Sequence, residues 1–188
     1  MNIGDLRRYF TRGPNSVIAN FPAPRVYEVA KHACVSLKEV FLIYAGHGAA
    51  FNFRRQGCGT ENREGLNGTQ AMDELVEEVE QRMKDAGVDE KKRKQTKIGW
   101  MIFWSDSFLN SFIKQKDNSV WVLIVTICPP ENMKSSGRYT YILAIGKSDA
   151  DHSEVIDHFL EEADKLMKGF DCFFGATNKI ERVALGIL

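Results

Sequence analysis

Four carboxylates in this sequence, Asp106, Asp149, Asp151 and Glu154, are the side chains whose type and spacing suit a metal-dependent reaction. In-line cutting or joining of a phosphodiester uses two divalent ions, Mg²⁺ or Mn²⁺, about 4 Å apart and held by carboxylates on rigid elements. Asp106 ends an apolar, aromatic-rich run, Ile98 to Trp104, that reads as a strand stopping at Ser105-Asp106. Backbone pairing would then fix this acid at the rim of a sheet as the catalytic and first metal-binding group. Asp149 and Asp151 follow a later strand and Glu154 opens a helix, so they join Asp106 if their loop folds back. A plainer role for Asp106 is that of a turn or cap residue ahead of Ser107.

A second chemistry is nucleophilic. The segment Leu42 to Ala49, LIYAGHGA, resembles the histidine motif of caspase-like cysteine peptidases, with His47 between two glycines and Cys128 as the nucleophile. Pro129 and Pro130 follow that cysteine, and proline has no N–H to offer an oxyanion. Histidine and cysteine spacing gives little for a structural metal. His32, Cys34 and His47 match no ligand pattern, and His152 and His158 lie six apart rather than four. They read as surface or capping histidines. Trp100, Trp104 and Trp121 have faces that bases can stack on, but aromatics inside strand runs usually fill cores.

The elements that must position these groups run in order along the chain. Residues 1–24 hold three of the five prolines and read as an extended arm. Within it Ile3, Leu6, Tyr9 and Phe10 have the spacing of a docking peptide and resemble sliding-clamp-binding peptides, with Ile3 where glutamine is usual. The plainer alternative is a frayed terminus. Arg25 to Ala45 repeats apolar residues at helical spacing, although Val40 to Tyr44 also suits a short strand, and Thr69 to Ala86 is the clearest helix, stopped by Gly87. Residues 25–97 are therefore expected to form a helical part. It ends in a dense basic run, Lys91, Lys92, Arg93, Lys94 and Lys97, that fits a nuclear-import signal, a phosphate-contacting patch or a solvated linker.

From Ile98 the pattern changes. Strands are expected at Ile98–Trp104, Val120–Cys128 and Arg138–Ile145, in an antiparallel meander because the connections lack a crossover helix. A helix from Ser153 to Lys168 and a fourth strand from Val183 to Leu188 follow. Strand, strand, strand, helix, strand, with an acid after the first, is the front half of a ribonuclease-H-like α/β fold. The expected units are thus an arm over 1–24, a helical part over 25–97 and this half-domain over 98–188.

Composition sets outer limits. With 25 basic and 25 acidic residues in 188 there is no net charge, so nucleic-acid affinity has to come from local clustering. Four scattered cysteines support neither a zinc site nor a disulfide framework, and no apolar run approaches the roughly 18 residues of a membrane span. The expectation is a soluble intracellular protein.

The stretch from Trp104 to Phe170, WSDSFLNSFIKQKDNSVWVLIVTICPPENMKSSGRYTYILAIGKSDADHSEVIDHFLEEADKLMKGF, resembles transposase-like proteins of the Plavaka and Kyakuja–Dileera–Zisupton type. There an "SD-x-F" acid follows the first strand, two strands share a proline-rich connection, and a helix ends in glycine. The resemblance covers about residues 98–188. It implies a ribonuclease-H-like fold, DNA as partner, a nuclear location and strand-transfer chemistry with Asp106 as first acid. The family's later acids have no counterpart, which implies a derivative with an incomplete site. A non-enzymatic module docking through the arm and the basic run is the alternative from another class.

Overall fold

The computed structural model describes residues 24–46, 48, 49, 51, 53, 66–109, 119–128 and 139–188. Ile3, Leu6, Tyr9, Phe10 and His47 lie outside the described residues. Seven strands form one mixed sheet with four helices around it, among the described residues.

Val26–Val29 (β1) and His32–Val35 (β2) form a tight hairpin where the periodicity of Arg25 to Ala45 suggested helix. Ala30 and Lys31 both take positive φ, 46° and 64°, the signature of a two-residue turn whose twist matches its strands. Neither residue is glycine or asparagine, so the turn left no mark in the sequence. The helix starts only at Leu37 and runs to Gly46 (α1), burying Leu37, Val40, Phe41 and Ala45 along one stripe. Leu66–Asp85 (α2) is the amphipathic helix expected near Thr69, and Leu75, Val79 and Met83 are its buried stripe. The basic run is a short helix rather than a linker, Glu90–Gln95 (α3), whose first turn is capped by the Asp89 side chain on the Lys92 N–H at 2.9 Å.

Lys97–Leu109 (β3), Ser119–Ile127 (β4) and Thr140–Lys147 (β5) make the antiparallel meander. Ser153–Met167 (α4) follows, ended by Gly169 at φ 81°. The FDCFF segment, which alternates buried and exposed residues, is the strand Phe170–Phe174 (β6), and Lys179–Ile187 (β7) returns beside it. Sheet order is β1-β2-β5-β4-β3-β7-β6. The β3–β7 pair is parallel, Lys97 to Val183 through Met101 to Ile187, while each other pair is antiparallel. The helical part expected over 25–97 is therefore not separate: β1 and β2 extend the sheet by pairing β2 with β5.

Strand alternation splits the core between two faces. Trp121, Leu123, Val125 and Ile127 of β4 look towards α1 and α4 and join Phe41, Phe159, Ala163 and Leu185 in the main core. The other face carries Val122 and Ile124, with Ile142, Ile145 and Ala33 beside them. There α2 covers the β3–β7 end, packing Leu75, Val79 and Met83 on Ile98 and Ala184. Gly186 is required at that seam, since a Cβ would meet Leu75 Cδ1 at 2.5 Å. No described helix is long and apolar enough to cross a membrane.

Candidate functional site

Asp106 does not end its strand. β3 continues three residues further, and Asp106 sits within it directly opposite Val122 of β4. The early stop expected at Ser105 fails because backbone pairing with β4 carries the polar residues along; their side chains are exposed and cost nothing to solvate. Register places Asp106 on the same face as Val122, the face away from α1 and α4. Its Oδ1 accepts the Ser107 N–H at 2.7 Å. Trp104, two residues earlier on that face, is 54% exposed, and Ile102 is 37% exposed.

The remaining acids follow β5 in the chain. Asp149 and Asp151 belong to the loop into α4, whose buried side chains join the main core. Asp151 is occupied at home: its Oδ1 accepts the Ser153 N–H at 2.9 Å, and that hydrogen bond holds its carboxyl below the usual range. His152 caps α4 in place of Ser153, without a side-chain hydrogen bond to the helix, and Glu154 is exposed in the first turn. Among the described residues no three His, Cys, Asp or Glu side chains gather as a metal would need.

The basic run is largely self-neutralised. Lys92 faces Asp89 at 3.7 Å and Lys94 faces Glu90, while Arg93 Nη1 donates to the Val88 carbonyl. Lys97 is a strand residue paired with Glu181, 19% and 21% exposed respectively, and its Nζ lies 5.4 Å from the centre of the Phe174 ring. Lys91 is exposed. A hollow between α3 and the β6–β7 hairpin is lined by Lys92, Gln95, Lys97, Asp171, Glu181 and Arg182, so cations and anions alternate in it.

Cys128 is fully buried just past β4, and its Sγ accepts the Trp100 N–H at 2.9 Å and donates to the Trp100 carbonyl at 3.0 Å. Burial pushes its thiol up to about 12. Its backbone adopts φ 36°, unusual for a side chain with a Cβ, where β4 leaves the sheet. These features suit a packing residue that bridges β3 and β4. A nucleophile needs the thiolate exposed, the opposite of this environment.

One constellation escaped the sequence reading. His32, fully buried on β2, has Nδ1 2.8 Å from the Ala30 carbonyl and Nε2 2.9 Å from His152 Nδ1. His152 stacks on Trp121 at 4.1 Å with ring planes 6° apart. Gly146 makes room, because a Cβ there would clash with Cδ2, Nε2 and Cγ of the His32 ring. Partners 120 residues apart leave no local pattern to read. The HACV strand, buried except at the half-buried Ala33, holds the faint clue, a histidine in an otherwise apolar run. No protein-family model matches this chain, and no curated protein matches it in sequence.

Proposed function

We propose that this chain is a ribonuclease-H-like module of transposase-like ancestry that works on DNA in the nucleus, with phosphodiester chemistry incomplete among its own side chains. One observation carries the reading. β7 lies parallel to β3 after the chain has crossed over through α4, so the meander β5-β4-β3 is followed by a parallel neighbour on the side of its first strand. That arrangement, with Asp106 on the first strand of the meander and β6 lying between α4 and β7 in the chain, supports a ribonuclease-H-like reading of the mixed sheet. Fold alone does not fix function; the Trp104–Ser105–Asp106–Ser107–Phe108 motif adds the lineage, and the solitary Asp106 argues for weak, single-acid metal binding.

The test is calorimetric titration of Mg²⁺ and Mn²⁺ into wild type and Asp106→Asn, each with and without a DNA duplex. Metal binding that depends on Asp106 and strengthens with DNA supports the proposal. Equal binding by both proteins, or no affinity for DNA at 50 mM salt, removes it. The exposed Ile102 and Trp104 favour a second reading, a non-enzymatic module that docks partners on this face. Under that reading Trp104→Ala abolishes partner binding while Asp106→Asn leaves it intact.

A further inference from the structure

α4 carries more apolar surface than its packing covers. Val155, Phe159, Ala163, Leu166 and Met167 are buried, but Ile156 and Leu160, one turn apart beside that stripe, stay 40% and 48% exposed. Scattered apolar side chains are ordinary on a surface; two stacked at i, i+4 make a ridge. Its border is acidic. Glu154, Asp157 and Glu161 are exposed on the same helix, and none of the described ion pairs uses them. Asp164, one turn beyond Leu160, is already held by Arg82 and Lys168. Lys165 is the only lysine or arginine in the helix.

The arm has the matching chemistry. Residues 1–23 hold Arg7, Arg8 and Arg12 against a single acid, Asp5, and these arginines are interleaved with Leu6, Tyr9 and Phe10. Leu6 and Phe10 repeat the i, i+4 spacing of Ile156 and Leu160. The arm also joins the described chain close to α4. The Arg25 N–H donates to Glu39 of α1 at 2.9 Å, the Leu37 N–H of α1 donates to Glu162 of α4, and Tyr27 Oη meets His158 Nε2 at 2.8 Å. The stretch from Arg12 to Pro24 spans up to about 40 Å when extended, against about 22 Å for the whole of α4. Reach is no obstacle, and tethering raises the effective concentration to the order of a millimolar, so a contact of modest affinity suffices.

We propose that the Ile156–Leu160 ridge of α4 is the docking surface for this chain's own arm, residues 3–12. Leu6, Tyr9 and Phe10 cover the apolar pair, and Arg7, Arg8 and Arg12 meet Glu154, Asp157 and Glu161. Exposed ion pairs add little and are screened by salt, so the apolar pair supplies the hold and the charges set the direction. Neither metal nor nucleic acid takes part, and the contact is independent of the DNA reading.

Methyl NMR of the whole chain tests it. Expected are cross-peaks between the Tyr9 and Phe10 rings and the methyl groups of Ile156 and Leu160. In Leu6→Ala/Phe10→Ala they should be lost and those methyl signals should shift. Asp157→Lys/Glu161→Lys should loosen the arm too, so that trypsin cuts after Arg7, Arg8 and Arg12 about threefold faster or more, because cleavage follows the undocked fraction. Methyl signals of Ile156 and Leu160 that ignore the arm substitutions would overturn the contact, as would cleavage unchanged by the charge reversal. Cross-peaks that vanish on dilution, together with loss of a dimer in sedimentation, would overturn it in favour of a second copy as the occupant. Should the α4 variant fail to fold, the arm variant decides alone.

Discussion

At the scale of single residues the chain trades reactivity for fit. The three described cysteines, Cys34, Cys128 and Cys172, are all buried, and desolvation pushes their thiols up to about 12, 12 and 11. At pH 8 a thiol near 12 is thiolate on the order of one part in 10⁴, so these three should resist a disulfide reagent until urea unfolds the protein. Rapid native modification of Cys128 would restore the nucleophile reading; mass mapping of the labelled sites reads the outcome. Gly146 is a different kind of fit. Its backbone needs no positive φ, and its role is the space it leaves for the His32 ring. Gly146→Ala forces that buried ring or its strand to shift, an overpacking cost of about 1–3 kcal/mol. Thermal melts should show a fall of about 2–4 °C per kcal/mol for a chain of this size. An unchanged melting temperature would mean the ring moves freely.

Among elements, the tie between α1 and α4 is carried by one carboxylate. Glu162 of α4 accepts the Leu37 N–H at 3.0 Å and the Lys38 N–H at 3.2 Å, and the Ser36 hydroxyl donates to it as well. An anion on the first N–H groups of a helix satisfies donors that have no partner in the helix and complements its positive end. Glu162→Ala leaves both amides to find water and should cost about 1–3 kcal/mol in chemical denaturation, with Glu162→Gln costing less than half of that. Equal losses would place the effect in packing rather than in the cap. The same scale explains the misread hairpin. In Arg25 to Ala45 the spacing of Val26, Val29, Ala30 and Ala33 fits a helix, but β5 offers an open edge, and the pairs Ala33–Ile145 and Cys34–Ala144 bind there. Pairing with a strand over a hundred residues away outweighs the local spacing.

Taken as a whole molecule, one sheet crosses the boundary that composition suggested at residue 97. β1 and β2 pair with β5, while α2 packs on β3 and β7, so the two parts share their cores. Far-ultraviolet circular dichroism and tryptophan fluorescence should therefore report one coincident urea transition. Two separated transitions would re-establish 25–97 as its own unit. Half of what positions Asp106 was readable in advance. The meander, α4 and the final strand followed from apolar runs punctuated by turn residues, and each is local. The face on which Asp106 stands was not, because a register is a relation between strands, and a shift of one residue would have turned it to the other side. Asp149, Asp151 and Glu154 follow it in the linear order, and among the described residues no three His, Cys, Asp or Glu side chains gather as a metal would need.

The sequence by itself determined the kind of protein: its neutral charge, its scattered thiols, the three strands of the meander and the last strand, and the amphipathic stripes of α2 and α4. These depend on side-chain periodicity within a few turns or a few alternations, which a chain carries wherever it goes. The tertiary structure alone decided that β7 lies parallel to β3, that an edge hairpin replaces the start of an expected helix, and that His32 and His152 meet on Trp121. Each of those results from closing a loop between distant segments, and the free energy of such a closure belongs to the packed sheet rather than to any stretch of it.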